Sequence, residues 1–364
     1  MDDLNKIIDK KIGEVRTESL DFSFGEIVNM HKADEPEIII QPDYQRLFRW
    51  TDVQKSRLIE SILLELPIPQ IFVIEKENAV LELIDGLQRI SSVIQFIDPK
   101  SLGKEPLKLQ GCDLIEELND NTFEDLPLKL KLLIKRSSVR TVIIKRQSQS
   151  FLRYSMFKRL NTGGAILAPQ EIRNCSARVM GDEGEKFYKF LQKMADYPSF
   201  VLCTKILPEQ EKEKKGDEEL VLRFFAAKND PESFKSKVPD WLDIYMEKVI
   251  TRKIDFQYEK EEREFKKVFD ILGNTLGEIA FASYRKKKPV KNLSPAYYEA
   301  ITIGTFRLLE QISRISMDAI KHKIINTVQS DEFKQYTGSG ANKPEMLKGR
   351  IKVIETALLE LIHE

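Results

Sequence analysis

In the first hundred positions, short runs of apolar residues alternate with stretches in which apolar residues recur at helical spacing. Each change between these two patterns predicts a new element. Short apolar runs at Ile38–Ile40, Gln70–Ile74 and Val80–Ile84 predict strands, the last two of them joined by a charged hairpin turn. Helical spacing after Thr51, and again after the Asp85-Gly86 pair, predicts two amphipathic helices. The order strand, helix, strand, strand, turn, helix indicates an α+β domain.

The pattern changes towards the middle of the chain. A strand is expected at Val139–Ile144, a helix over Ser148–Leu160 and a helix start at Pro169. Beyond these, nearly every apolar repeat has helical spacing. We therefore expect an α+β domain over residues 1–176, followed by an all-α domain over residues 177–364.

Charge and cysteine content narrow the classes of function. Lysine and arginine number 58, aspartate and glutamate also number 58, so no overall basic field draws in nucleic acid and any DNA contact must be local. Cys112, Cys175 and Cys203 are too far apart for a zinc site or a disulfide scaffold, which predicts a reduced, cytoplasmic protein. No stretch approaches the ~20 apolar residues of a membrane helix, so no membrane partner is expected.

The turn before the second predicted helix carries candidate chemistry. Asp85, Gln88 and Arg89 are spaced to share one face at a helix start, where free N–H groups and the helix dipole favour phosphate. Arg89 can add a bidentate contact, Gly86 allows close approach to the backbone, and Asp85 can hold a metal ion or orient a water molecule. A structural alternative is a capping box formed by Asp85 and Gln88.

The loop before the first helix has an unusual composition. It holds Gln45, Arg46, Arg49 and Trp50 within six positions. Two arginines and an aromatic ring suit phosphate binding and base stacking. In the structural alternative Trp50 anchors the core and both arginines are solvated. These residues alone leave both interpretations open.

Two ordered blocks of sequence resemble one family. The first comprises Pro42–Trp50, Leu58–Leu63, Pro67–Pro69 and Asp85-Gly86-Leu87-Gln88-Arg89, and the second comprises Phe157–Gly164, Leu167, Gln170-Glu171 and Arg173-Asn174. Their order and spacing are similar to the N-terminal domain of GmrSD-type modification-dependent restriction systems. That family is similar in turn to the ParB and sulfiredoxin fold, in which a turn bearing glycine and arginine binds nucleotide phosphates.

The resemblance implies a ParB/sulfiredoxin-like first domain with a small mixed sheet, which binds a nucleoside triphosphate and hydrolyses it with Mg²⁺. It places Asp85, Gly86, Gln88 and Arg89 at the phosphates, with Arg46 facing them and Asn161 and Gly164 closing the site. Together with the chemistry of the turn and the loop, this predicts catalysis by Asp85, Gln88 and Arg89, a metal ligand at Asp85, and nucleotide contacts from Gln45, Arg46, Arg49, Trp50, Gly86, Asn161 and Gly164. Many relatives also carry a C-terminal HNH nuclease. The histidines of this chain, His31, His322 and His363, do not form such a cluster, so DNA cutting would fall to a separate nuclease partner or to the ParB-like site.

The most concentrated positive run is Arg285, Lys286, Lys287 and Lys288, in a segment expected to be a charged linker between helices. It can follow a DNA backbone by neutralising phosphates, and a solvated helix end is the alternative. Three functions stay open. They are a nucleotide-hydrolysing component of a restriction or anti-phage system, a module that binds or senses DNA, and a nuclease acting from Asp85. The base, the oligomeric state and the genomic partner are also open.

Overall fold

The computed structural model describes residues 16–40, 50–76, 78–145, 168–312, 315–338 and 340–363. The chain divides into two compact units, a first unit of residues 1–166 and a second unit of residues 167–364. The domain boundary predicted between residues 176 and 177 lies ten residues further along and stays a prediction. None of the described helices combines the length and apolar character that a membrane crossing requires.

The sheet of the first unit is mixed. Its strands are β1 (Thr17–Ser23), β2 (Ile38–Ile39), β3 (Ile71–Glu75), β4 (Leu81–Asp85) and β5 (Ser138–Ile144). They lie in the order β1-β5-β3-β4-β2. The pairs β1/β5 and β3/β4 are antiparallel, whereas β5/β3 and β4/β2 are parallel. The small mixed sheet and the β3–β4 hairpin predicted from the sequence are confirmed.

Helices complete the core of the first unit. They are α1 (Phe24–Lys32), α2 (Asp52–Leu63), α3 (Leu87–Ile97) and α4 (Leu128–Arg136), with 3₁₀ turns at Pro99–Leu102 and Glu116–Leu118. Thr51 begins α2 with a capping box, since its hydroxyl accepts from Gln54 N–H and the Gln54 side chain accepts from Thr51 N–H. The core includes Ile59, Val73 and Ile94, all fully buried. The apolar faces predicted for α2 and α3 therefore meet the sheet.

The second unit is mainly helical. Its helices are α5 (Pro169–Val179), α6 (Asp182–Ala195), α7 (Pro198–Cys203), α8 (Glu209–Glu213), α9 (Gly216–Asn229), α10 (Val238–Ile250), α11 (Tyr258–Thr275), α12 (Pro295–Arg307), α13 (Leu309–Ile312), α14 (Met317–Gln329), α15 (Asp331–Lys334) and α16 (Pro344–His363), with 3₁₀ turns at Pro231–Ser233 and Gly277–Ile279. Phenylalanine rings fill much of its core, as where Phe224 meets Phe225 and Phe265 edge to face at 5.1 and 5.3 Å.

The prediction of an all-α second domain is wrong in one place. The segment expected to be a linker forms an antiparallel hairpin of β6 (Ala282–Arg285) and β7 (Lys288–Leu293). Its two-residue turn is Lys286-Lys287, in which both residues have positive φ, 49° and 62°. Such turns strongly favour asparagine and glycine. Two lysines gave no turn signal, and the strands are too short to show a clear alternation.

Candidate functional site

The turn that joins β4 to α3 depends on a glycine. Strand β4 ends at Asp85, and Gly86 takes the position before α3 with φ +101°, in the left-handed region. A Cβ placed on Gly86 would lie 2.4 Å from Ile71 Cγ2. Glycine is therefore needed for backbone conformation and for close packing of the turn against β3. The sequence suggested Gly86 only as a place where a ligand can come close to the backbone. The structure adds two structural reasons for a glycine, its left-handed φ and its packing against Ile71.

The start of α3 has no side-chain cap among the described residues, and its first turn has no acidic residue. The Gln88 side chain instead points to the preceding loop, where its Oε1 accepts from Trp50 N–H at 3.2 Å. The interpretation of Asp85 and Gln88 as a capping box is therefore wrong. Because the N–H groups of the first helical turn have no partner within the helix, this end favours a negatively charged group.

Arg89 is held at the rim of the turn. Its Nη2 donates to Asp85 Oδ2 at 3.0 Å and to the Gln70 carbonyl at 3.1 Å. The two side chains are 19% and 29% exposed, so the ion pair is partly enclosed and still reachable. Arg89 Nε is enclosed and has no hydrogen-bond partner among the described residues. Asp85 and Arg89 thus share a face, as their spacing predicts, and the pair fixes the guanidinium beside the helix start.

Trp50 connects the loop of the first block to this turn. Its backbone donates to Gln88, as above, and its half-buried side chain packs against the core of the first unit. This packing is what the structural interpretation of Trp50 predicted. The carbonyl of Gln88 also accepts from Ser91 Oγ at 3.3 Å and from Ser92 Oγ at 2.5 Å, which supports the first turn of α3. Stacking of a nucleotide base on Trp50 stays a prediction.

Several predicted site residues lie outside the described residues. They are Gln45, Arg46, Arg49, Asn161 and Gly164. Their contacts with a nucleotide stay predictions. Within the described part of the chain no three His, Cys, Asp or Glu residues are grouped to hold a metal ion. A Mg²⁺ ion at Asp85 would need most of its oxygen ligands from water and phosphate, which is a common arrangement for Mg²⁺.

Comparison with known proteins gives a family for this part of the chain. Residues 24–177 match the family described as the GmrSD restriction endonuclease, N-terminal domain. The match supports a GmrSD N-terminal-like domain in this part of the chain. No curated protein and no solved structure matches the chain. The match begins at α1, includes the Asp85–Arg89 turn, and extends through most of α5.

The last part of the GmrSD N-terminal match is buried in the second unit. Arg173, on α5, is 1% exposed. Its Nε donates to Asp243 at 2.8 Å, and its Nη1 donates to Gln170 at 2.7 Å and to Glu219 at 2.9 Å. Asn174 Nδ2 donates to a Glu218 oxygen at 2.5 Å. These residues of the second block therefore tie α5 to α9 and α10.

The acidic partners of the second block have opposite electrostatic environments. Burial raises the pKa of Glu218, and Lys215 opposes this by a nearby positive charge. Burial acts in the same direction on Glu219, but Arg173 and Arg223 outweigh it, so the pKa of Glu219 lies below its ordinary value. Sequence reasoning missed this network because its partners lie far apart along the chain. The segment Gln170–Asn174 of the second block therefore joins α5 to α9 and α10 through hydrogen bonds of its buried side chains.

Proposed function

We propose that the chain is the nucleotide-binding component of a DNA-restriction or anti-phage defence system, and that it binds the phosphates of a nucleoside triphosphate at the Asp85–Arg89 turn. The observation that carries this proposal is the start of α3, which has no side-chain cap among the described residues and lies beside an ion-paired arginine. It falls within the region that matches the GmrSD restriction endonuclease N-terminal domain. In the same proposal this region has the ParB/sulfiredoxin-like fold, in which such a turn holds phosphate.

The electrostatics of the turn support an anionic ligand. Backbone N–H groups at a helix start and an arginine together form a common phosphate site. No acidic residue in the first turn of α3 opposes the ligand. Asp85 is the one carboxylate within residues 85–89, and Arg89 already pairs with it at 3.0 Å. Because buried donors normally find an acceptor, Arg89 Nε, which has no partner among the described residues, further favours a negatively charged group there.

Asp85 suits a role in turnover. Its Oδ2 is engaged by Arg89, which leaves Oδ1 to hold Mg²⁺ or to orient a water molecule towards the terminal phosphate. When bound, Mg²⁺ would neutralise part of the negative charge of the phosphates. The residues of this chain would then bind the phosphates, through Arg89 and the N–H groups of α3, and position the attacking water, through Asp85. Hydrolysis is proposed on this basis.

The proposed location is the cytoplasm. Cys112 and Cys203 are free and buried, and burial raises the pKa of the Cys203 thiol to about 12. Unpaired thiols are typical of reducing compartments.

In the proposed system, a separate nuclease cuts the DNA.

The binding proposal is tested by thermal unfolding with each of the four ribonucleoside triphosphates, with and without Mg²⁺. A ligand at 100 times its Kd should stabilise the first unit by about 2.7 kcal/mol. Arg89→Ala should weaken binding roughly 10- to 100-fold, because a hydrogen bond to a charged group contributes about 1.5–3 kcal/mol. Arg140→Ala is a matched control, since Arg140 also pairs with an aspartate, Asp21 at 3.1 Å, on the same sheet. The proposal fails if no triphosphate shifts the unfolding of the unaltered protein.

Hydrolysis is tested separately with Asp85→Ala and Asp85→Asn. Loss of Asp85 frees Arg89 for phosphate, so we expect triphosphate affinity to be kept or increased while turnover falls by 100-fold or more, the range of an acid–base or positioning group. Release of inorganic phosphate measures turnover, and equilibrium binding of a non-hydrolysable analogue measures affinity. Equal turnover in Asp85→Ala and unaltered protein would remove Asp85 from the chemistry.

A further inference from the structure

The β6–β7 hairpin is a two-stranded ribbon with a positively charged tip. Its base is buried, because Phe281 is fully enclosed and its ring meets that of Tyr298 at 4.8 Å. Ala282 pairs with Leu293 above that base, and both are buried. At the other end Arg285 pairs with Lys288 across the Lys286-Lys287 turn, and all four of these cations are exposed. The fold therefore brings four positively charged residues together at the tip of the hairpin.

No carboxylate among the described residues neutralises the charge at this tip. Positions 279–298 contain five cations and no carboxylate, although the chain as a whole has equal numbers of both. None of Arg285 and Lys286–Lys288 forms an ion pair with a described residue. The lysine run on α8 and before α9 is different, because Lys212, Lys214 and Lys215 pair with glutamates at 3.3, 3.1 and 3.0 Å. Of these two runs, the hairpin run therefore has the charge that is available to an external anion.

The Lys286-Lys287 turn has a backbone conformation that lysine disfavours. Left-handed φ at two successive residues is a strained conformation for lysine and an easy one for asparagine and glycine. Strain of this kind points to a use for the side chains. An Asn-Gly turn would give the same hairpin with better local geometry and without the two charges.

We propose that the β6–β7 hairpin docks on duplex DNA, with Arg285, Lys286, Lys287 and Lys288 against the phosphates that border the major groove. Paired strands lie about 4.8 Å apart, and a two-stranded ribbon fits the ~12 Å major groove of B-form DNA. The major groove of an RNA duplex is too deep and narrow for this. A membrane surface would require apolar anchors beside the charge, and of the exposed large apolar residues Val290 alone belongs to the hairpin.

This inference does not depend on nucleotide binding at the Asp85–Arg89 turn. It rests on the charge and shape of the hairpin, and its test is done without nucleotide. Failure of one proposal can therefore be distinguished from failure of the other.

The test is fluorescence anisotropy of a 20-base-pair duplex with the full chain over a range of salt concentrations. The variant Lys286→Asn/Lys287→Gly relaxes the turn, so it should fold at least as stably, measured by thermal unfolding. We expect its DNA affinity to fall roughly 10- to 100-fold near 0.1 M salt and the slope of log K against log salt to fall by about 1.8, two phosphate contacts at 0.9 each.

Two controls test whether the effect is specific to the hairpin and to duplex DNA. Lys212→Gln/Lys214→Gln removes the same net charge at ion-paired positions, and it should leave affinity and slope unchanged. Duplex RNA and vesicles of anionic phospholipid should bind more weakly than DNA. The proposal is overturned if the unaltered chain does not bind duplex DNA at low salt, if the hairpin variant matches it in affinity and slope, or if RNA or vesicles are the preferred ligand.

Discussion

Replacing Gly86 with alanine should destabilise the first unit by about 3 kcal/mol, from left-handed strain and overpacking together. The φ of +101° is unfavourable for alanine, and its Cβ would lie 2.4 Å from Ile71 Cγ2. The contact is with the branched side chain of a fully buried strand residue, which cannot move aside easily. The measurement is urea unfolding followed by Trp50 fluorescence in a Trp241→Phe background, since these are the two tryptophans of the chain.

Two further variants separate strain from crowding. Gly103 also has positive φ, +60°, but nothing lies within 4 Å of the position of its Cβ. Gly103→Ala should therefore cost only about 1 kcal/mol, from backbone strain alone. Ile71→Ala creates a cavity, and combining it with Gly86→Ala should cost less than the sum of the two, because the added methyl then has space. Equal losses for Gly86→Ala and Gly103→Ala would contradict the crowding at Ile71.

Replacing Glu299 with glutamine should destabilise the second unit by about 3 kcal/mol or more. Glu299 is 2% exposed and lies between two buried arginines, with Arg223 Nη1 at 2.9 Å from Oε1 and Arg350 Nη2 in contact with Oε2. Glutamine keeps the shape but loses the charge, and its NH₂ group would face one guanidinium. Urea unfolding followed by Trp241 fluorescence, in a Trp50→Phe background, measures the loss.

An exposed ion pair of the same unit provides the matched control. Glu232 and Lys348 lie 2.9 Å apart, with side chains 76% and 57% exposed. Since solvent screens such a pair, Glu232→Gln should cost less than about 1 kcal/mol. A cost for Glu299→Gln as small as that of the control would show that water reaches the buried network.

The sequence predicted most of the sheet and the helices around it. Apolar spacing located α2 and α3 and the strands β2 to β5, because one buried face imposes a period on the chain. It missed β1, whose residues Thr17 to Asp21 are mostly exposed and therefore carry no apolar repeat. The β6–β7 hairpin was missed because packing of its base on Phe281 and Tyr298 overrides unfavourable turn residues.

The candidate site was predictable in part. The i,i+4 spacing of Asp85 and Arg89 was enough to predict that they share a face. Spacing alone also favoured a capping box, and this was wrong because Gln88 finds a better partner in Trp50, 38 residues away. A local pattern cannot show a competing partner that only the fold brings close.

By itself the sequence determined the local features of this protein. These are the period of the elements that have one buried face, the acid-free stretch around Arg285–Lys288, and the family signature at residues 85–89. The tertiary structure decided which of these features meet. It packed Gly86 against Ile71, turned Gln88 towards Trp50, and buried Arg173 between α9 and α10. Periodicity and charge depend on neighbours along the chain, whereas these contacts join residues that the sequence separates.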